Sequence, residues 1–413
     1  MNPAARRTFV ASFLGWTLDA FDFLLLTFVV SRIATTFGRS VAEVTGAITL
    51  TLMCRPIGAL IFGWLGDRYG RRTPLMIDIA FYSVIQLLTA FSPNFIVFLV
   101  LRALYGVAMG GEWGLGAALT MESLPPGRRG FYSGLLQQGY MVGYLLAALT
   151  FYLVFTFTHW EWRALFIIGA LPAGLILYIR TSVPESQAWL AHRSQRLALP
   201  SNFLLKTVAA HWPLFLYAIA FMATLNAMSH GTQDLYATFL QKQHNFPTSL
   251  TSTLSIVAAF GAMIGSVTGG VLSERLGRRA VIMLCAAFAL AMLPVWAFSS
   301  TAVALAAGAF FMQFGVQGAW GVIPAHLNEL SPAEARGTFP GFTYQFGNLL
   351  AAGVAQIEAT LAQRMPLPSG VFNYAGAMAL VTAFVLVSVV AFAALGYLVK
   401  KENRAASFLG APT

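Results

Sequence analysis

The chain has 413 residues, 58% of them hydrophobic and 10% charged, and a mean hydropathy of +0.71. That excludes a soluble globular protein, and the net charge of +10 sits largely in the segments between apolar runs, which excludes sequence-specific nucleic-acid recognition. Cys54 and Cys285 both lie inside apolar runs, so they imply neither a disulfide framework nor a metal site.

In chain order, runs long enough to cross ~30 Å of hydrocarbon as helices predict spans at 9–31, 43–65, 74–91, 95–118, 131–157, 163–181, 211–240, 250–272, 280–298, 303–325, 338–360 and 374–399. The expected fold is an all-α polytopic membrane protein of twelve transmembrane helices. The first run carries Asp19 and Asp22 and lacks a small-residue cleavage site, so it reads as a retained span rather than a signal peptide. With both termini placed in the cytoplasm, eighteen of the 25 Lys and Arg fall inside, Arg68, Arg71, Lys400, Lys401 and Arg404 among them. Five fall outside, and Arg55 and Arg102 remain within spans. This bias follows the positive-inside rule and accounts for the net charge. An integral plasma (cytoplasmic) membrane protein is expected.

The two halves repeat at an offset of 207 residues. Gly63, Asp67, Arg68, Gly70, Arg71 and Arg72 map onto Gly270, Glu274, Arg275, Gly277, Arg278 and Arg279. Glu122, Arg129, Gly130 and Gln138 map onto Glu329, Arg336, Gly337 and Gln345 without a gap. Two six-helix halves, 1–182 and 207–413, joined by a polar cytoplasmic connector at 183–206, predict a cavity between them near the midplane.

The seventh span carries NAMSHGTQDLYAT (226–238). At 100° per residue, Asn226, Ser229, His230, Gln233 and Asp234 share one broad face, and Thr232 does not. That face cannot meet lipid, where a charge costs at least ~2.5–3.5 kcal/mol. It lines a cavity, or it forms a hydrogen-bonded seam with a neighbouring helix. Asp19 and Asp22 are three apart on the first span, and two close buried carboxyls suit a proton-coupling site. Pairing with Arg55 or Arg102 is the alternative. Arg55 lies about 18 Å from the cytoplasmic end of its span and is the candidate anchor for a carboxylate. A structural pair with Asp19, Asp22 or Glu112 is the competing role. Gln138 and Gln345, with Tyr140, Tyr344 and Asn348 nearby, either hydrogen-bond a substrate oxygen or pack helices.

These residues resemble the major facilitator superfamily. GWLGDRYGRR (63–72) is similar to its loop motif between spans two and three, GVLSERLGRR (270–279) is the second copy, and VPESQAWL (183–190) is similar to its segment after span six. The span-seven stretch resembles a signature of the fungal lactate–pyruvate:proton symporters, with Asn226, Ser229, His230, Thr232, Gln233, Asp234 and Thr238 matching. LDAFDF (18–23) is similar to the paired-aspartate first span of sialate and aromatic-acid symporters. The resemblance implies alternating access and proton coupling. It also implies that Asp67, Arg71, Arg72, Glu122 and Arg129, with Glu274, Arg278, Arg279, Glu329 and Arg336, latch the cytoplasmic side, helped by Gly63 and Gly70.

The expected function is proton symport of short monocarboxylates such as lactate and pyruvate. Arg55, Asn226, His230, Gln233, Gln138 and Gln345 would bind the acid; Asp19, Asp22, His230 and Asp234 would handle the proton. The alternatives are a symporter of larger organic acids or a non-transporting nutrient sensor, for which the tail after Val399 looks too short. No phosphate loop, HExxH or CxxC pattern supports an enzyme. The expected partners are a small organic anion, the proton and the lipid bilayer, with no cofactor, no metal and no nucleic acid, in a monomer.

Overall fold

The computed structural model describes residues 2–158, 160–200 and 202–399. Lys400, Lys401 and Arg404 lie outside the described residues. Among the described residues, eleven helices are long and apolar enough to cross a membrane. Spans one to six are Pro3–Phe37, Val41–Tyr69, Arg72–Ala90, Phe95–Ser123, Pro126–Phe157 and Trp162–Ser182. Spans seven to ten are Trp212–Lys242, Thr248–Leu276, Arg278–Phe298 and Ala302–Leu330, and span twelve is Tyr374–Val399. The expected span eleven is present as two shorter helices, Phe339–Ala351 and Val354–Arg364.

Helices dominate because hydrocarbon offers no partner for backbone N–H and C=O groups. Their starts follow the sequence. Ser40 and Glu43 form a reciprocal capping box on span two, Asn94 caps span four and Thr301 caps span ten. Four of the twelve expected spans are interrupted, where the sequence pattern predicts continuous helices. Span six breaks around Gly169–Pro172, span seven after Gln233, span ten after Trp320 and span eleven after Ala351. A discontinuous membrane helix needs protein or a cavity beside it to satisfy the freed backbone groups.

The first six spans pack around one apolar core and the last six around another. The halves meet mainly through span five against span eight and span two against span eleven. Those two contacts are related by the 207-residue offset. Small residues make the approach close: a Cβ on Gly130 would strike the Gly270 carbonyl oxygen, and one on Gly63 would lie 2.6 Å from Thr338 Cα. Gly70 and Gly277, symmetry mates in the two loops, have φ 99° and 106° with ψ 165° and 149°, a region only glycine occupies readily.

Candidate functional site

A cavity of about 220 Å³ lies between the halves. Spans one, two and five line one wall with Trp16, Arg55, Gln138 and Tyr140. Spans seven, ten and eleven line the other, with Gln317, Tyr344 and Asn348 among their contributions. All five residues projected onto the polar face of span seven reach it: Asn226, Ser229, His230, Gln233 and Asp234. Thr232 turns away, as the projection requires. Its hydroxyl donates to Met228 O at 2.8 Å and accepts from Gln313 Nε2 at 3.1 Å. Thr238 is half-buried and off the wall.

Span seven positions its polar groups through its break. The helix Trp212–Gln233 ends with the Asp234 N–H still donating to His230 O at 3.0 Å. The side chains then meet as well: His230 Nδ1 lies 3.0 Å from Asp234 Oδ2. His230 Nε2 lies 3.1 Å from Asn348 Oδ1 on span eleven. Oxygens at both ring nitrogens suit an imidazolium; a neutral ring would require either the Asn348 amide to be reversed or Asp234 to carry the proton and donate to Nδ1. Asn226 Nδ2 donates to Met222 O at 2.8 Å, and Gln233 Nε2 to Gln313 Oε1 at 3.0 Å. One acid–base pair therefore faces the cavity, held from two helices, with Asp234 exposed to it.

Across the cavity, Arg55 is 4% exposed, and its Nε and Nη2 have no hydrogen-bond partner. Among the described residues no carboxylate lies within ion-pair distance of it. The guanidinium is therefore a buried cation whose donors remain available to an anion. Asp19, Asp22 and Glu112 are buried nearby inside the first half, and no oxygen of their carboxyls has a hydrogen-bond partner. None lines the cavity. The expected alternative, a direct pair with Arg55 or Arg102, is not formed. Arg102 instead donates through Nη2 to Gln86 Oε1 at 2.9 Å and lies 4.1 Å from the Tyr105 ring centroid.

Gln138 lines the cavity, with Nε2 3.4 Å from Gly134 O and from Met263 O, and Oε1 unpartnered. Its mate Gln345 does not reach the wall. It is 1% exposed with both amide atoms unpartnered. Tyr344 and Asn348, four apart, take the cavity-facing side, and Gln345 is turned about 100° from Tyr344. Two buried acids were not among the expected site residues: Asp78 on span three and Glu358 on span eleven, each 0% exposed with both oxygens unpartnered. The signal for both was a lone carboxylate inside an apolar run.

The loop charges gather at the end of the molecule that carries the connector. Arg71 pairs with Glu122 at 3.0 Å and Asp67 at 3.3 Å within the first half. Arg278 pairs with Glu329 at 2.8 Å and Glu274 at 3.1 Å within the second. Asp67 and Glu274 each accept across the boundary between the halves. Asp67 accepts from Gly337 N at 2.6 Å, Thr338 N at 3.0 Å and Thr338 Oγ1 at 2.8 Å. Glu274 accepts from Gly130 N, the symmetry mate of the Asp67–Gly337 bond. Arg72 donates to Arg180 O, Arg129 Nε to Met121 O at 3.1 Å, and Arg279 lies 5.2 Å from the Tyr397 ring centroid. Arg336 is half-buried, within range of the charges of Glu122, Arg71 and Arg196. The connector joins in: Glu185 accepts from the backbone N–H of Arg71 and Arg72, Trp189 Nε1 donates to Asp67 O at 3.1 Å, and Arg196 donates to Ala333 O and Glu334 O. Burial raises the Glu185 carboxyl above its usual range against the pull of those N–H groups.

Two six-helix halves around a polar cavity, latched together at one end, define a membrane transporter and not an enzyme. The profile of the Major Facilitator Superfamily matches residues 9–356, and the chain belongs to that family. It is 30% identical, over 94% of this chain and 67% of the relative, to a carboxylic acid transporter protein homolog of Saccharomyces cerevisiae. It is 29% identical, over 98% of this chain and 92% of the relative, to a probable 4-methylmuconolactone transporter of Cupriavidus pinatubonensis. It is 28% identical, over 84% of this chain and 85% of the relative, to the sialic acid transporter NanX of Escherichia coli. In fold it is similar to the crystal structure of a double-tryptophan mutant of XylE, with TM-score 0.75 at 17% identity over 97% of each chain.

Proposed function

We propose that the protein is a proton-coupled symporter of short monocarboxylates such as lactate and pyruvate. It would lie in the cytoplasmic membrane with both termini inside and work as a monomer by alternating access. The observation that carries this reading is Arg55: a buried guanidinium without an ion-pair partner, on the wall opposite the His230–Asp234 pair. Arg55 holds the carboxylate in its planar fork. Asn226, His230 and Gln233 orient the rest of the acid, and Gln138 supplies an amide from the first half. The relative named for carboxylic acid transport supports this substrate class. A cavity of about 220 Å³ is smaller than the ~300–1,000 Å³ typical of sites for drug-sized ligands, which favours a short acid. The relatives named for sialic acid and 4-methylmuconolactone favour a second reading, in which the cavity widens for larger acids.

The proton enters at His230–Asp234, the exposed member of the set. Binding it there offsets the cost of bringing an anion into a low-dielectric cavity. Asp19 and Asp22, with Glu112 and Asp78, place four carboxyls beside only two guanidiniums, Arg55 and Arg102. Full ionisation would leave two uncompensated charges in the bundle at several kcal/mol each, so this group also holds protons. The halves 1–182 and 207–413 rock as bodies joined by 183–206. The Asp67 and Glu274 bonds keep the cytoplasmic end shut while the cavity faces outward. Uptake of a panel of labelled acids into proteoliposomes, with and without an imposed proton gradient, tests the reading. Accumulation of sialate or an aromatic acid in preference to lactate would replace the first substrate class by the second.

A further inference from the structure

Span eleven is broken into two short helices, and the second of them holds a buried acid with no hydrogen-bond partner. Glu358 sits one turn into the helix Val354–Arg364, after the break at Ala351. It is 0% exposed and neither carboxyl oxygen has a hydrogen-bond partner. The half-helix packs against spans seven and twelve. The carboxyl lies against Gly231: a Cβ there would be 3.1 Å from Glu358 Oε1 and 3.5 Å from Thr382 Oγ1. Thr382 Oγ1 in turn donates to Gly231 O at 3.3 Å. Gly231 is the residue after His230 and three before Asp234.

The groups that can act on this carboxyl are few. Span twelve carries no charged residue or histidine, and its two tyrosines, Tyr374 and Tyr397, lie near opposite ends. On the half-helix itself Arg364 is at the far terminus and exposed. On span seven, Gly231, which the carboxyl touches, directly follows His230 and lies about one helical turn before Asp234, and Asp234 is hydrogen-bonded to His230. An ionised, unpaired carboxylate at this depth would cost several kcal/mol, so Glu358 carries its proton in this conformation. A discontinuous membrane helix is also where coupling ions are typically held.

We propose that Glu358 is a second proton-carrying site for transport, and that it exchanges its proton with Asp234. This rests on the symport reading above. In the step, the O–H bond at Glu358 Oε breaks as an O–H bond forms at Asp234 Oδ, leaving a glutamate carboxylate beside a neutral aspartic acid. The reverse step reloads Glu358. Asp234 faces the cavity and Glu358 does not, so Glu358 is loaded through Asp234 when the cavity opens to one side, and returns that proton through Asp234 for release when it opens to the other. The substrate therefore moves with one proton more than the His230–Asp234 pair alone supplies.

The test is proton flux and acid accumulation in proteoliposomes bearing the wild type, Glu358→Gln or Glu358→Asp. Glutamine imitates the protonated carboxyl, so Glu358→Gln is expected to fold and to exchange internal for external acid. It should carry one proton fewer per acid. At a pH gradient of one unit, each coupled proton multiplies accumulation about tenfold, so accumulation should fall about tenfold. Glu358→Asp should restore part of it. Wild-type proton flux and accumulation in Glu358→Gln would overturn the proposal. So would a Gln variant that cannot fold, because the carboxyl would then be required by the packing and its role would be structural. Accumulation driven by a sodium gradient and lost in Glu358→Gln would make the site a metal-cation site and equally refute it. Absence of exchange in the wild type would instead sink the transport reading itself.

Discussion

Replacing Asp67 by asparagine probes the closure between the halves with little change of shape. The carboxylate accepts three hydrogen bonds from the opposite half, two of them backbone N–H groups at 2.6 and 3.0 Å. An amide keeps one acceptor oxygen, but its NH₂ then faces either Gly337 N–H or Thr338 N–H, donor against donor. At least one bond to a charged acceptor is lost, worth about 1.5–3 kcal/mol. Since ~1.4 kcal/mol is a factor of ten, the latched conformation should lose about ten- to a hundredfold in population relative to the opened one. Reactivity of a single cysteine introduced at the connector end should rise accordingly, and net transport should fall. Substrate binding, measured by calorimetry in detergent, should stay largely intact because Asp67 does not line the cavity. Binding lost in proportion to transport, or unchanged cysteine reactivity, would refute the closure argument.

Three further outcomes follow from the cavity and the loops. Arg55→Lys keeps the charge but loses the planar fork, so apparent KM for lactate should rise at least about tenfold; unchanged affinity in an uptake titration removes Arg55 from the site. Uptake should rise as external pH falls from about 7.5 to 5.5, across the reference value of a histidine. Asp234→Asn should abolish gradient-driven accumulation while exchange persists, and His230→Ala should flatten the pH profile. Both variants accumulating lactate with the wild-type profile would make the pair structural. Gly70→Ala forces a side chain into a backbone region that costs of order 1–3 kcal/mol. Thermal unfolding should show that loss, and an unchanged midpoint would contradict the φ of 99°.

The membrane fold was legible because its signals are long: apolar runs and a gapless repeat. The polar face of span seven was legible for a similar reason, since a fixed 100° step carries Asn226 round to Asp234 whatever surrounds the helix. Breaks were not. The span-six break carries Gly169 and Pro172 and the span-ten break Gly321 and Pro324, breakers that apolar length alone passes over, whereas Gln233–Tyr236 has neither glycine nor proline. Gln345 shows the same limit. The offset that pairs it with Gln138 holds for the chain but not for the cavity wall, because span eleven is broken where span five is continuous. Asp78 and Glu358 were visible as isolated acids in apolar stretches, yet their depth and lack of partners emerge only from packing. The connector was read as a tether; Trp189 and Arg196 show it gripping both halves.

Two of the bonds between the halves, Asp67 to Gly337 and Glu274 to Gly130, are images of one another under the repeat. Each couples a helix end in one body to the start of a helix in the other. A rigid tilt of one half about an axis near the cavity lengthens both at once, and no rotation that preserves the twofold relation lengthens one alone. If the halves rock as proposed, the strengths of these bonds add against the same motion, and the closure would behave as a single cooperative unit rather than as two independent clasps. A membrane carrier gains from that. A door that could stand half unfastened would let protons leak through a cavity with no passenger in it.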